Sequence, residues 1–209
     1  MLTKGFLITF EGGEGGGKTT QIVRLRDKLT KLGKDVIVLR EPGGTVISEQ
    51  IREVVLSAKN AGIAYTTEVL LFQAARAQIY REIVLPSLKA GKVVLIDRSR
   101  DSSVVYQGIV RGFGKDLIEQ LNDISTKETY PDLTLLLDVN VKDGLKRREE
   151  SGSANRLDME DTSFHDKVRK AYQQLAKDDK KKRWVMIDAN KTIDEVDAAI
   201  WQAVQKKIT

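Results

Sequence analysis

Gly12-Gly13-Glu14-Gly15-Gly16-Gly17-Lys18-Thr19-Thr20 follows directly on the apolar run Phe6-Leu7-Ile8-Thr9-Phe10. Gly12, Gly17, Lys18 and Thr19 satisfy the G-x-x-x-x-G-K-[ST] spacing of a phosphate-binding loop. A loop that wraps a polyphosphate turns its backbone N–H groups inward, and residues without a Cβ allow this most freely. Lys18 adds a point charge against the β and γ phosphates, and the Thr19 hydroxyl is placed to meet a magnesium ion. The helix expected to begin nearby aims its positive end at the same anion. A flexible glycine linker is the alternative reading, but the strand before and the helix after are the context a phosphate loop requires.

Outward from this loop the chain alternates strands and helices. Ile22, Leu25, Leu29 and Leu32 recur at helical spacing as one buried stripe, and Gly33 stands where a C-terminal cap would sit. Asp35 to Leu39 reads as a second strand, left through the turn-forming cluster Arg40-Glu41-Pro42-Gly43-Gly44. A short helix carries Ile47, Ile51, Val54 and Val55. A longer one runs from about Thr66 and is kinked or interrupted by Pro86. Val93 to Ile96 is a four-residue apolar run of the kind buried in a parallel sheet, and Asp97-Arg98 sits at its carboxyl end, where open α/β sheets place ligand chemistry. Helices are expected at Ser102 to Val110, Lys115 to Ser125, Val141 to Glu150 and Ser163 to Lys177, with strands at Leu133 to Val139 and Trp184 to Ile187. The last helix opens on the capping box Thr192-Ile193-Asp194-Glu195 and is expected to bury Ile193, Val196, Ile200 and Val204. The pattern predicts one α/β domain over residues 1–209, built on a doubly wound five-stranded parallel sheet flanked by helices.

The 35 basic residues are nearly balanced by 30 acidic ones, so a nucleotide phosphate is a more economical anionic partner than nucleic acid. The absence of cysteine excludes a disulfide framework, a thiolate metal site and a thiol nucleophile. No apolar stretch approaches the roughly 20 residues that cross a bilayer, and the N-terminus has no signal-peptide pattern. A cytoplasmic protein with no membrane partner is expected.

A phosphate loop alone names a nucleoside triphosphate and not a reaction. Asn190-Lys191-Thr192-Ile193 begins like a guanine-reading segment, yet lacks the fourth-position Asp that would accept the base's two donors. A small phosphotransferase is therefore the leading class, with a slowly hydrolysing nucleotide switch as the rival. A phosphotransferase needs an acceptor site, positive charge for the transferred group and exclusion of water. Phe72 and Arg76 stand four residues apart and share a helical face. Phe72 offers a flat apolar surface for a base, while Arg52, Arg76 and Arg98 offer cations for a base edge and a monophosphate. The stretch from Arg147 to Arg156 reads as an arginine-bearing lid, with Ser151 to Asn155 its most flexible part. An acceptor phosphate is already ionised at neutral pH, so no general base is required. His165, the one histidine, is expected at the surface.

Taken together, FEGGEGGGKTTQ, LREPGG, LLFQAARAQ, the DRS segment with SSVVYQG, NRLDMED and IDANKTIDEV resemble the thymidylate kinases over nearly the whole chain. The resemblance implies transfer of a phosphoryl group from ATP to dTMP, a magnesium cofactor and a homodimer. It places ATP on Gly12, Gly13, Glu14, Gly15, Gly16, Gly17, Lys18, Thr19 and Thr20, and magnesium on Thr19 and Asp97. It implies that Phe72 stacks on thymine, Arg76 donates to a carbonyl of the base, and Ser103 and Gln107 line the base edge. Tyr106 would lie where a 2′-hydroxyl clashes, Arg52 and Arg98 at the acceptor phosphate, and Glu14 beside the acceptor's sugar and phosphate. The chain has Gly15 and Gly16 where one branch of the family carries a loop arginine, and so resembles the branch whose catalytic arginine is in the lid, here residues about 142–160. Arg156 is the first choice for that role, with Arg147 or Arg148 second. The position after Asp97-Arg98, often Tyr in the family, is Ser99, which bears on any contact made by that ring and not on the pair itself.

Overall fold

In the computed structural model, residues 4–150, 152 and 155–208 are described. Most of the expected flexible stretch, namely Ser151, Ser153 and Ala154, lies outside the described residues. Five strands, β1 (Phe6–Glu11), β2 (Val36–Arg40), β3 (Val93–Asp97), β4 (Leu133–Asp138) and β5 (Trp184–Asp188), form one parallel sheet in the order β2-β3-β1-β4-β5. Both faces are covered by helices, which is why the inner strands read as near-continuous apolar runs.

On one face Ile8, Phe10, Leu95 and Leu135 pack against Ile22, Leu25 and Leu29 of α1 (Lys18–Lys31) and Val196, Ile200 and Val204 of α9 (Ile193–Ile208). The other face is covered by α2 (Val46–Leu56), α3 (Tyr65–Ile79), α4 (Leu85–Lys89), α5 (Arg100–Ser103), α6 (Lys115–Thr126) and α8 (Thr162–Lys177), with α7 (Val141–Glu150) lying over the phosphate loop. The expected capping box closes α9: Thr192 N–H donates to Glu195 at 3.0 Å, and Glu195 N–H donates to the Thr192 hydroxyl at 3.3 Å.

Several expectations are corrected. Leu32 and Ile193 are exposed rather than core, because the first lies at the C-cap of α1 and the second in the opening turn of α9, beyond the reach of the sheet. His165 is buried on α8, edge-on to Phe164. The long helix after Thr66 breaks before Pro86, not at it. Pro86 has no N–H for the carbonyl one turn back, and the chain widens into a π turn over Tyr80–Val84, with Leu85 N–H donating to Tyr80 O. A second π turn, Val104–Val110, follows α5 where one helix was expected.

β1 is the middle strand, so its exit loop lies at the point where the chain winds in opposite directions, the crevice in which such folds bind ligands. The loop is wedged in place by glycine contacts. A Cβ on Gly12 would lie 2.4 Å from the Leu137 carbonyl oxygen, and one on Gly15, at φ +63, would lie 2.0 Å from the Gly144 carbonyl oxygen of α7. Gly15→Ala is therefore expected to lower the melting temperature, since the left-handed backbone alone costs about 1–2 kcal/mol for a non-glycine residue and the collision adds to it. Gly13→Ala, with no atom within 4 Å of its added carbon, should melt close to the parent. Equal melting temperatures for the two variants would refute the packing of α7 on the loop.

Candidate active site

The C-terminal edge of the sheet opens into a cavity of about 730 Å³ that runs from the phosphate loop to α3. At the loop end Lys18 is buried, and its Nζ donates to the carbonyls of Gly12 at 3.2 Å and Gly13 at 2.8 Å. Burial and the nearby Arg98 hold its pKa below the ordinary value, against the pull of Asp97, Glu14 and Glu11. The Thr19 hydroxyl donates to the Asp97 carboxylate at 3.1 Å, which brings the two expected metal ligands together. Gly15, Gly16, Gly17, Lys18, Thr19 and Thr20 line the cavity, as do Ala189, Lys191 and Ile193 after β5. Those last three were not anticipated as site residues. Their signal was the turn after the last strand, which the guanine-segment comparison had already passed over.

The far end is built as the helical spacing of α3 predicts. Phe72 and Arg76 both face the cavity, and Ser103, Tyr106 and Gln107 join them from α5 and the second π turn. Arg76 is almost entirely buried: it donates to Glu41 at 2.7 Å, Ser103 at 2.9 Å, Asn122 at 3.0 Å and the Ser99 carbonyl at 3.0 Å. Of the five N–H groups of a guanidinium, one remains for a ligand. Arg52 donates to the Pro42 carbonyl at 2.7 Å, after the cis Glu41-Pro42 bond. Ser99 is fully buried, where its hydroxyl donates to Glu41 at 3.0 Å and lies 2.9 Å from the Tyr80 hydroxyl.

Between the two ends Arg98 adopts a left-handed backbone, φ 63, which points its side chain across the phosphate loop. It donates to Glu14 at 2.7 Å and lies 5.3 Å from the centre of the Tyr106 ring. The Tyr106 hydroxyl donates to the same Glu14 oxygen at 3.2 Å. Beneath them Glu11, unremarked in the sequence because it merely ends a strand, accepts from Ser99 N–H at 2.8 Å, Ser102 at 2.6 Å and Tyr172 at 2.8 Å. Burial and the neighbouring Asp101 push its pKa up to about 7.

The three lid arginines separate. Arg156 is buried away from the cavity, with Nε donating to the Val55 carbonyl at 3.1 Å and a terminal nitrogen 2.5 Å from Glu68. Arg147 and Arg148 line the cavity instead. Arg147 donates to the Ala189 carbonyl at 3.2 Å and Arg148 to Asp158 at 2.9 Å.

Burial acts to raise the pKa of Glu14, but Arg98, Lys18 and Arg148 outweigh it and bring the carboxyl down to about 2 from 4.5. The folded state thus keeps this carboxylate ionised where the unfolded chain takes up a proton. The stabilisation is complete above about pH 4.5 and is lost as pH falls towards 2. In urea titrations the stability difference between the parent and Glu14→Gln is expected to be largest near pH 6 and to shrink by about pH 3. A difference independent of pH would show that the Arg98 pair contributes nothing to folding.

The profile of the thymidylate kinase family matches residues 10–200. The thymidylate kinase of Geotalea uraniireducens is 47% identical over 210 residues, covering 98% of both chains. That of Caldanaerobacter subterraneus subsp. tengcongensis is 42% identical over 203 residues, covering 97% of this chain and 96% of the relative. The crystal structure of thymidylate kinase from Ehrlichia chaffeensis superposes with a TM-score of 0.78 at 32% identity, covering 97% of this chain and 99% of that one. A phosphate loop at the end of the middle strand, a cavity running from it to α3 and these likenesses agree: the chain belongs to the thymidylate kinase family.

Proposed function

We propose that the chain transfers the γ-phosphoryl group of ATP to dTMP, giving dTDP and ADP, within the single domain of residues 1–209. The observation that carries this reading is the continuity of one cavity from Lys18 and Thr19 to Phe72, Arg76 and Gln107, with the Arg98–Glu14 pair between its ends. Two nucleotides can meet there tail to tail, with the triphosphate on the N-terminus of α1 and the pyrimidine against Phe72. Arg98 and Arg52 would take the acceptor phosphate, Tyr106 would close the sugar edge, and Ser103 would support Arg76. An ionised phosphate oxygen attacks in line, so catalysis consists of positioning and electrostatics.

The Thr19 hydroxyl and the Asp97 carboxylate, already within hydrogen-bond distance, are hard oxygen donors suited to Mg²⁺. Held by these two residues, the ion would supply Lewis-acid stabilisation of charge on the transferred group. Lys18 supplies the same support from the loop. Arg147 and Arg148 follow Gly144 by three and four residues, so they share the face of α7 that touches the loop. We assign the lid's catalytic charge to this pair and an anchoring role to Arg156.

No described helix is long and apolar enough to cross a membrane. We place the reaction in the cytoplasm, with which a chain lacking cysteine is compatible. For the homodimer the support is an exposed apolar surface on three adjoining helices: Ile47 and Val54 on α2, Leu70 on α3, Leu117 and Ile124 on α6. Spacings of seven put each pair on one helical face.

In a coupled ADP-release assay across dTMP, dUMP, dCMP, dGMP, UMP and thymidine, dTMP should give the highest kcat/KM, and a preference for another acceptor would overturn the substrate. Lys18→Ala should lower kcat by about a hundredfold or more, as loss of a charge aimed at the transition state does. Arg148→Gln or Arg147→Gln should lower kcat more than Arg156→Gln, and the reverse order would return the catalytic role to Arg156. Ile124→Glu should shift the sedimenting species from dimer to monomer; a parent that sediments as a monomer at micromolar concentration would refute the assembly.

A further inference from the structure

Glu68 is fully buried on α3, one turn before Phe72 and two before Arg76, and does not itself line the cavity. Its two oxygens are divided between two partners. One accepts from the Gln107 side-chain amide nitrogen at 2.9 Å, and the other lies 2.5 Å from a terminal nitrogen of Arg156. The Arg111 Nε is 3.7 Å from the first oxygen. The Arg156 backbone N–H donates to the Leu56 carbonyl at 3.1 Å, so the later part of the lid is seated on the same buried acid and on the end of α2.

A carboxylate only accepts hydrogen bonds, whereas a carboxamide donates from one end and accepts at the other. With its nitrogen turned to Glu68, Gln107 leaves its oxygen as the end available to the cavity it lines. That choice carries information for a pyrimidine. The ring nitrogen between the two carbonyls of thymine bears a hydrogen and donates, while the corresponding nitrogen of cytosine is bare and accepts. An amide oxygen welcomes the first and is repelled by the second; a reversed amide would invert the preference.

We propose that Glu68 is a positioning residue: by holding the Gln107 amide in one orientation it sets the preference for thymine over cytosine, and by holding Arg156 it ties the end of the lid to the same reader. The inference rests on the placement of the base against Phe72 and Gln107 proposed above. Removing the carboxylate charge without changing its size frees the amide, because a glutamine at position 68 meets Gln107 with either end.

The test measures kcat and KM for dTMP and dCMP in the parent, Glu68→Gln, Gln107→Leu and the exchanged pair E68Q/Q107E. Glu68→Gln and Gln107→Leu should each lower the dTMP-to-dCMP ratio of kcat/KM by about tenfold, the scale of one hydrogen bond, mainly through KM for dTMP. The exchanged pair should recover the ratio, since the amide now at position 68 donates to the carboxylate now at 107, whose other oxygen again accepts from thymine. A parental ratio in Glu68→Gln with a lowered one in Gln107→Leu overturns the role of Glu68 and leaves the base placement standing. A parental ratio in Gln107→Leu overturns the placement, and the inference with it. If Glu68→Gln does not fold, the exchanged pair, which keeps one carboxylate and one amide, decides: recovery supports the proposal and a tenfold-lowered ratio overturns it.

Discussion

The pairing of Arg98 with Glu14 joins the two halves of the site. Glu14 belongs to the loop leaving β1, and Arg98 follows β3, the strand hydrogen-bonded beside it with Phe10 opposite Asp97. Both side chains are partly buried, so removing one partner leaves the other charge poorly solvated and uncompensated. The left-handed backbone of Arg98 is a further cost, sustained because Ser99 beyond it is held at both ends, by Glu11 through its N–H and by Glu41 through its hydroxyl. The loop after β1 and the segment after β3 are thus held to each other by this pair, the preorganisation that the proposed electrostatic catalysis requires.

The parts legible in the sequence were those whose physics is local. The phosphate loop is a spacing, the strands are apolar runs, and Phe72 with Arg76 is a helical interval; each survives without knowledge of the rest of the chain. Face assignments at the ends of helices were less secure. Leu32 and Ile193 continue a periodic pattern past the point where the sheet beneath it stops, and only the sheet's extent decides their exposure. His165 looked like a surface residue on a polar helix, but α8 covers the sheet in one layer with Phe164 and Tyr172, and that is a tertiary fact.

The buried acids were invisible for a related reason. Glu11 and Glu41 lie inside quoted motifs without a role of their own there, Glu68 lies outside them, and their partners are far away in sequence: Ser99 for Glu11, Arg76 for Glu41, Arg156 for Glu68. The same separation hid the setting of the lid: Arg156, the first choice for its catalytic cation, is held by a carboxylate on α3 inside the protein. Ser99, noted only as a departure from the family's usual residue, proves to link Glu11, Glu41 and Tyr80 beneath the site. A small residue there leaves room for a hydrogen-bonded junction.

The loop's lack of an arginine acquires a steric cause. The Gly15 and Gly144 backbones meet so closely that a Cβ at either position would enter the other segment: 2.0 Å from the Gly144 oxygen in one case, 2.3 Å from the Glu14 oxygen in the other. A side chain at position 15 and this seating of α7 exclude each other. With the loop filled by backbone, the proposed reading adds to Lys18 the two arginines of α7. Three and four residues past the contact, Arg147 and Arg148 lie on the helix face that the contact turns towards the loop. The glycine at 144 therefore sets how closely α7, and with it Arg147 and Arg148, approaches the loop. That approach is fixed by the packing of one backbone on another, a close contact that leaves α7 little freedom to shift against the loop.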